Sequence, residues 1–581
     1  MVNIKEDNKL NILNHSCAHL LAHAVKRLYS NALFWVGPVI EEGFYYDIDL
    51  GEDVIKEEDL EKIEREMKKI SKDNKKIVRI ELSKEEALEM FKNDPYKIDL
   101  INNMEEGSII TAYKQDDFVD LCRGPHMEYT KDMKYFKLLK VSGAYYKGDA
   151  KNKMLQRIYG ICFYDEEDLN KHLELLEEAK KRDHRKLGKE LELFFFDETA
   201  PGMPYWLPKG LIIFNELVNF WRVEHKKRGY AEFSGPGLNS SELWKTSGHW
   251  DHYKDDMFVL KDIDGKEQAL KPMSCPNAIK VYESKLRSYK ELPLRFNDVD
   301  VLYRNEASGA LNGLFRVRMF RQDDSHNFIS EDQVKSEIND ILDIADLFYG
   351  IFGLKFKPTL STRPDDYMGE LSVWDKAEED LKSVLDSRYG NGNYVVNEGD
   401  GAFYGPKIDI MMEDALGRKW QMGTIQLDFQ LPERFDLSYI SNDGSKVRPV
   451  IIHRVIYGSL ERFIGILTEH YAGAFPLWIS PIQVNIIPVN NEYHLDYGKE
   501  LKELLIDNDI RVELDERDEK VGYKIRESQM QKIPYSIVLG DKEKENNTIT
   551  YRKYGSEEMV NINKEEFINL LKEEIKSKKV N

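Results

Sequence analysis

Three residues of metal-ligating type, Cys275, His326 and His453, stand far apart in the chain, two of them on apolar, strand-like segments. Each alone is more often core than ligand, and spacing does not bring the three together. A second constellation is tighter. HSCAH sets His15 and His19 four residues apart, and LCRGPH does the same for Cys122 and His126. Helical residues four apart share a face, so both histidines of the first pair can enter one pocket. All four residues belong to types that ligate zinc, so a structural zinc site competes with helix-face packing and with catalysis. The third constellation is VLYRNEASGALNGLFRVRMFRQDDSH, Val301 to His326, where charges interleave with strand-type residues. That pattern suits a strand, loop and strand lining an anionic pocket. A guanidinium grips phosphate with two parallel hydrogen bonds, so Arg304, Arg316 and Arg318 suit a nucleotide. A surface hairpin with solvated charges fits the spacing equally well.

The elements that must position these residues follow from periodicity. NHSCAHLLAHAVKRLYS repeats its apolar residues at helical spacing, and the glycine-containing strand region VGPVIEEGFYYDIDL follows. Glu57 to Lys76 is charged throughout and reads as a solvated helix face. From Glu166 to Glu192 an apolar stripe without proline predicts one helix joining two domains. A large body of mixed strand and helix patterns runs from Leu193 to about Trp478. Beyond it the pattern alternates: strand IQVNIIPV, helix Tyr493 to Asp507, strand IRVELDE, helix Tyr523 to Lys532, strands YSIVLGD and TITYRKY, and a last helix Lys564 to Lys578. Such alternation reads as a small α/β domain with a mixed sheet.

A length of 581 residues exceeds one compact core, so several domains are expected. With 41% apolar and 32% charged residues, wholesale disorder is excluded. Four cysteines are too few and too scattered for a disulfide scaffold. No apolar run is long enough to span a bilayer and the N-terminus lacks a signal-peptide pattern, so a cytoplasmic protein is expected. A net charge of -20 argues against nucleic acid as a partner, yet local basic patches on an acidic whole suffice for RNA contact.

Several segments in order carry a resemblance to a known family. RNE at Arg304 to Glu306 resembles motif 2 of class II aminoacyl-tRNA synthetases, GSLERFIGIL at Gly458 to Leu467 resembles motif 3, and KRGYAEFSGPGL, with Pro236, resembles motif 1. TSGHWDHY, KPMSCP, RVRMFRQDDSH, EGDGAFYGPKID, GTIQLDFQLP and IIHRVIYGS together resemble the threonyl enzymes in particular. The likeness runs over essentially the whole chain. It implies an α+β multidomain protein: an editing domain over 1–184 that includes a small completing segment over 137–170, a class II catalytic domain over 185–478 built on an antiparallel sheet flanked by helices, and an α/β anticodon-binding domain over 479–581.

The same resemblance assigns residues. Cys275, His326 and His453 would hold one zinc ion. Arg304, Glu306, Arg316, Gln421 and Arg462 would contact Mg-ATP, with Arg304 and Arg462 as the catalytic arginines. Gln322, Asp324, Tyr404 and Gln426 would orient threonine, with Lys407 nearby. His15, His19, Lys97, Asp120, Cys122 and His126 would form a pocket that hydrolyses mischarged seryl-tRNA without an essential metal. Asp518, Arg526, Glu543 and Arg552 would meet the anticodon; Asp518 stands where asparagine is common. The implied partners are threonine, ATP, threonine tRNA and a second copy of the chain. The chain begins almost at HSCAH, so it is expected to lack the ubiquitin-like N-terminal domain common in the family. Ser274, Asn277 and Ala278 replace the usual asparagine, glycine and histidine around the zinc cysteine, and Met319 and Arg321 replace smaller residues. A free deacylase with a decayed synthetase body and a non-enzymatic RNA-binding paralogue are the competing readings. The intact arginines and ligand trio disfavour both.

Overall fold

The computed structural model describes residues 2–105, 107–149 and 151–578. Ala150 in the expected completing segment, and the termini of the expected domain ranges, Met1 and residues 579–581, lie outside the described residues. The chain divides into two compact units between Glu178 and Ala179.

In the first unit, helix Asn8–Leu28 starts where the Asp7 carboxylate accepts the backbone N–H groups of Lys9 and Leu10, each at 3.0 Å. Lys26 and Arg27 in its last turn complement the helix dipole. Its face of Leu13, Cys17, Leu20, Leu21 and Ala24 is fully buried. Each such leucine contributes about 1.5–3 kcal/mol of burial. This face packs on a five-stranded sheet in which Gly43–Asp49 and Tyr135–Tyr145 both pair with the central strand Met154–Phe163. The segment expected to complete the domain is therefore the middle and edge of its main sheet. Helix Leu60–Lys72 is solvated on one face only, since Ile63, Met67 and Ile70 are buried against the first helix. A three-stranded sheet, Ile77–Leu82, Ile110–Gln115 and Phe118–Leu121, and helix Pro95–Asn102 complete the unit.

The joining helix is not one element. It runs Glu166–Arg182, breaks at Asp183, and resumes as His184–Glu190. The break has a local cause: the Asp183 side chain accepts Arg185 N–H at 2.8 Å and so caps a new helix, a bond that competes with continuing the old one.

The second unit contains an eight-stranded sheet in the order Ala231–Glu232, Leu294–Asp298, Asp324–Ile329, Val450–Val455, Lys419–Asp428, Lys407–Glu413, Lys355–Ser361, Val395–Asn397. It is antiparallel through the middle, as expected, but the outermost pair at each edge is parallel. Helices Pro208–Lys227, Val334–Gly350 and Leu371–Tyr389 bury residues such as Trp221, Ile341 and Leu381 in the core that also holds sheet residues Ile410, Ile425 and Ile452. The C-terminal part is a five-stranded mixed sheet, Val512–Leu514, Val484–Pro488, Tyr535–Leu539, Thr548–Lys553, Val560–Asn563, with helices Asn491–Ile506, Val521–Met530 and Lys564–Ser577. A further helix, Asp541–Asn546, and the strand Val560–Asn563 go beyond the sequence reading. Arg511 ties this part to the larger sheet's body, donating to Glu216 at 2.9 Å and to the Trp478 carbonyl at 2.8 Å.

Candidate active site

Strands Val301–Tyr303 and Met319–Arg321 pair antiparallel, which is the expected strand, loop and strand. Arg304 leaves the first strand with its guanidinium 5.1 Å from the Phe320 ring. Arg316, on the returning loop, forms an ion pair with Glu306 at 2.9 Å. Arg462 comes from helix Leu460–His470, whose cap Ser459 accepts the Arg462 N–H at 3.2 Å. The Arg462 Nε donates to the Phe315 carbonyl at 2.9 Å, which aims the guanidinium into a cleft of about 800 Å³ that Arg304, Glu306, Arg316 and Gln421 also line. Burial, then repulsion from Arg304 and Arg316, lowers the pKa of Arg462. Guanidiniums held near one another against their repulsion favour a polyanionic guest.

A second cleft, of about 640 Å³, adjoins the first and shares Arg304, Gln322, Thr424 and Val455 with it. Cys275, Asp324, Tyr404, Gln426 and His453 also line it. The Tyr404 hydroxyl donates to Gln426 Oε1 at 2.8 Å. Lys407 lies directly across from Gln426 in the sheet, but its ammonium sits 3.1 Å from Asp409 and 3.5 Å from Asp400, and it does not line this cleft.

At the cleft's wall the sheet solves what spacing left open. His326 and His453 are register partners on adjacent antiparallel strands, and Cys275 opens helix Cys275–Glu283 beside them. One ligand atom from each lies within 4.8 Å of the others. Both ring nitrogens of His326 and the Nδ1 of His453 are buried without a hydrogen-bond partner. Burial holds His326 well below the ordinary imidazole value, and so neutral, which is the ligand form. The Asp428 carboxylate takes His453 Nε2 at 2.7 Å and fixes its ring, as carboxylates do behind metal ligands. Leaving a buried polar atom unpaired costs about 1–3 kcal/mol. The orphaned nitrogens and the adjacent thiol therefore fit a zinc ion with open coordination positions. Of the unusual neighbours, Ser274 donates to Asp298 at 2.9 Å and Asn277 to Asn239 at 3.1 Å, so both are held by polar partners of their own.

The first unit gathers the four residues of the second constellation, with Lys97 and Asp120 beside them. His15 and His19 project from one face of helix Asn8–Leu28, and one ligand atom from each lies within 4.8 Å of those of Cys122 and His126. Here three of the four donors are mutually engaged, His19 lying instead 3.9 Å from Asp120: Cys122 Sγ is 3.2 Å from both His15 Nε2 and His126 Nε2, and His126 Nδ1 is 3.2 Å from Ser16 Oγ. Burial lowers the pKa of all three histidines and raises Cys122 to about 11, so the thiol stays protonated. Lys97 and Asp120 are each 2% exposed and pair at 2.7 Å. The turn between Cys122 and His126 requires Gly124, at φ +71°, where a Cβ would strike the Tyr113 hydroxyl. Two polar residues of this pocket escaped sequence reasoning. Tyr46 donates to Asp120 and lies 3.4 Å from Lys97, and Ser16 sits between the two histidines of HSCAH. Tyr46 could have been found from the alternation of Gly43–Asp49; nothing local marks Ser16 or Asp428.

In the C-terminal part, Asp518 and Arg526 are exposed. Glu543 accepts Gly540 N–H at 2.9 Å and the Thr550 hydroxyl at 2.6 Å, and Arg552 donates to the Ser556 carbonyl. These contacts do not draw the four residues into one pocket.

Residues 258–471 match a family model described as the tRNA synthetase class II core domain (G, H, P, S and T). Residues 483–574 match an anticodon binding domain, and 110–159 the threonyl and alanyl tRNA synthetase second additional domain. The fold is that of a class II aminoacyl-tRNA synthetase. A threonine–tRNA ligase of Acetivibrio thermocellus is 53% identical over 566 residues, covering 97% of this chain and 88% of the relative. One from Finegoldia magna is 50% identical over 580 residues, covering 100% and 91%. The crystal structure of the RNA binding domain of a threonyl-tRNA synthetase from Cryptosporidium parvum superposes with a TM-score of 0.65 at 42% identity, covering 67% of this chain and 98% of that one. A putative threonyl-tRNA synthetase of Aeropyrum pernix gives 0.60 at 28% identity, covering 68% and 97%. This chain belongs to the threonyl-tRNA synthetase family.

Proposed function

We propose that the chain ligates L-threonine to its tRNA through a threonyl adenylate and hydrolyses seryl-tRNA made in error. The observation that carries the synthetic half is the pair of clefts: one edged by three arginines, the other lined by Cys275 and His453 with His326 beside His453 in the sheet, the two sharing Arg304 and Gln322. Threonine carboxylate oxygen attacks the α-phosphorus of Mg-ATP, the bond to the bridging oxygen breaks, and pyrophosphate leaves. Arg304 stabilises the charge that builds on the α-phosphate, and Arg462 holds the γ-phosphate. Glu306, Arg316 and Gln421 seat the nucleotide; Gln322, Asp324, Tyr404 and Gln426 orient the amino acid. Lys407 supports this wall from its ion pair with Asp409. Cys275, His326 and His453 would hold zinc, which supplies a Lewis-acidic seat for an amino group and a β-hydroxyl. Positioning and electrostatics suffice, with no covalent enzyme intermediate.

Serine keeps both of those groups and lacks one methyl, which a pocket rejects by only about 10- to 200-fold. The neutral histidines His15, His19 and His126, with Lys97, Asp120 and Cys122, form the second site, able to position water against an ester. Their mutual hydrogen bonds favour metal-free hydrolysis over a structural zinc. The C-terminal sheet, with Asp518, Arg526, Glu543 and Arg552, would read anticodon bases splayed from their loop. We place the divisions at 1–184, 185–478 and 479–581, and the working form as a cytoplasmic homodimer joined through the motif 1 region. No helix among the described residues is long and apolar enough to cross a membrane.

ATP–pyrophosphate exchange across a panel of amino acids tests the reading. Threonine should support exchange, serine should follow about 10- to 200-fold behind, and valine should fail. Exchange with another amino acid in preference to threonine would overturn it.

A further inference from the structure

His184 is buried at 1% exposure and stands outside both clefts, yet each ring nitrogen has a committed partner. Nδ1 lies 2.7 Å from Glu469 Oε1, to which it donates, and Nε2 accepts the backbone N–H of Leu314 at 3.0 Å. The backbone N–H of His184 donates to the same Glu469 oxygen at 3.1 Å. These bonds set the tautomer: the proton is on Nδ1. They also exclude a metal at the cluster of Asp183, His184 and Glu469, because the ring has no free ligand atom. Glu469 is fixed in turn by Arg418 and sits near the end of the helix that carries Arg462.

Leu314 belongs to the tight turn of the nucleotide loop. Phe315 N–H donates to the Asn312 carbonyl at 2.9 Å, and Asn312 and Arg316 bridge across the turn. The tip, Gly313, has φ +49°, and a Cβ there would stand 2.2 Å from His184 Nε2. The imidazole packs on the Phe315 ring at 4.1 Å between centroids. The Phe315 carbonyl is the acceptor that aims Arg462, and the next residue is Arg316. One ring therefore touches the loop that carries Arg316 and the helix that carries Arg462.

We propose that His184 is a positioning residue for ATP: it holds the Asn312–Arg316 turn against the Arg462 helix, and so sets the distance between the two sides of the phosphate cleft. The inference rests on the reading of that cleft as the nucleotide site. Loss of the ring frees the turn and weakens ATP binding, while the amino-acid cleft keeps its own walls.

The test is threonine-dependent exchange with ATP and threonine varied separately, on His184→Leu, His184→Gln and Gly313→Ala. His184→Leu should raise the KM for ATP about tenfold or more and leave the KM for threonine within about twofold, a preference that mere loss of stability would not produce. His184→Gln should recover most of the loss, since its amide oxygen can still accept Leu314 N–H. Gly313→Ala presses on the ring from the other side without removing it and should raise the KM for ATP as well, so the idea stays testable if the leucine variant does not fold. An unchanged KM for ATP in the folded variants, or an equal rise for both substrates, overturns the proposal. Arg462→Ala is run alongside: if it loses exchange while His184→Leu keeps its ATP affinity, only this inference fails, and if Arg462→Ala is fully active, the nucleotide site itself is misassigned.

Discussion

Arg304 and Arg462 spend guanidinium hydrogens on backbone carbonyls, those of Pro272 and Phe315, whereas Arg316 spends its charge on Glu306. A carbonyl orients a cation without neutralising it, so the first two keep more charge for a phosphate. Arg304→Ala and Arg462→Ala should each lower exchange by about 100-fold or more, and Arg316→Ala by clearly less. Equal losses at all three would show that the pairing with Glu306 does not matter. The same contrast separates the two Cys–His clusters. The Cys275 trio holds orphaned nitrogens, whereas in the Cys122 cluster the thiol engages His15 and His126. Metal analysis should find about one zinc per chain, lost in Cys275→Ala and retained in a His15→Ala, His19→Ala double variant. Zinc that survives the first and vanishes from the second would reverse the two assignments.

At the scale of elements, Asp323, just before strand Asp324–Ile329, ties that strand's start to the turn before helix Leu460–His470, accepting Ile456 N–H at 3.0 Å and Gly458 N–H at 3.1 Å. Burial pushes its carboxyl up to about 7, against the pull of Arg454 and the backbone bonds. A carboxyl whose folded value is raised binds its proton more tightly when folded. Its contribution to stability is therefore complete below about pH 4, the unfolded value, and is lost as pH rises through about 7. Asp323→Asn, which cannot ionise, should gain on the parent between pH 5 and pH 8. The difference in urea midpoint between the two proteins at each pH measures this; a difference that does not change with pH would refute it. Elements of this length were partly legible. The HSCAH helix and the main C-terminal strands and helices could be read from periodicity and alternation. The break at Asp183 and the short helix Asp541–Asn546 could not, because single side-chain bonds to nearby backbone decide them. Lys97 and Asp120 are twenty-three residues apart in sequence, one on helix Pro95–Asn102 and one on strand Phe118–Leu121, and only the tertiary fold makes them a pair. Residues with tertiary partners alone, such as His184 and Asp428, left no local trace.

Over the whole molecule, the residues proposed for synthesis and those proposed for editing fall in different compact units. The two activities should therefore come apart. In His15→Ala with His19→Ala, threonine charging should persist while hydrolysis of preformed seryl-tRNA falls and serylated product accumulates; undiminished hydrolysis would return these histidines to packing. The direct register pairing of His326 with His453 has a consequence beyond catalysis. In a β-sheet a slip of one residue sends a side chain to the opposite face, so a strand paired one position out of place would separate the two imidazoles. If Cys275, His326 and His453 hold zinc as proposed, correct strand alignment and metal capture are a single property. On the proposed zinc reading, metal uptake during refolding would act as a proofreading signal for the chain's own assembly, and the metal-loaded fraction of a preparation would count the molecules whose central sheet has closed in the right frame.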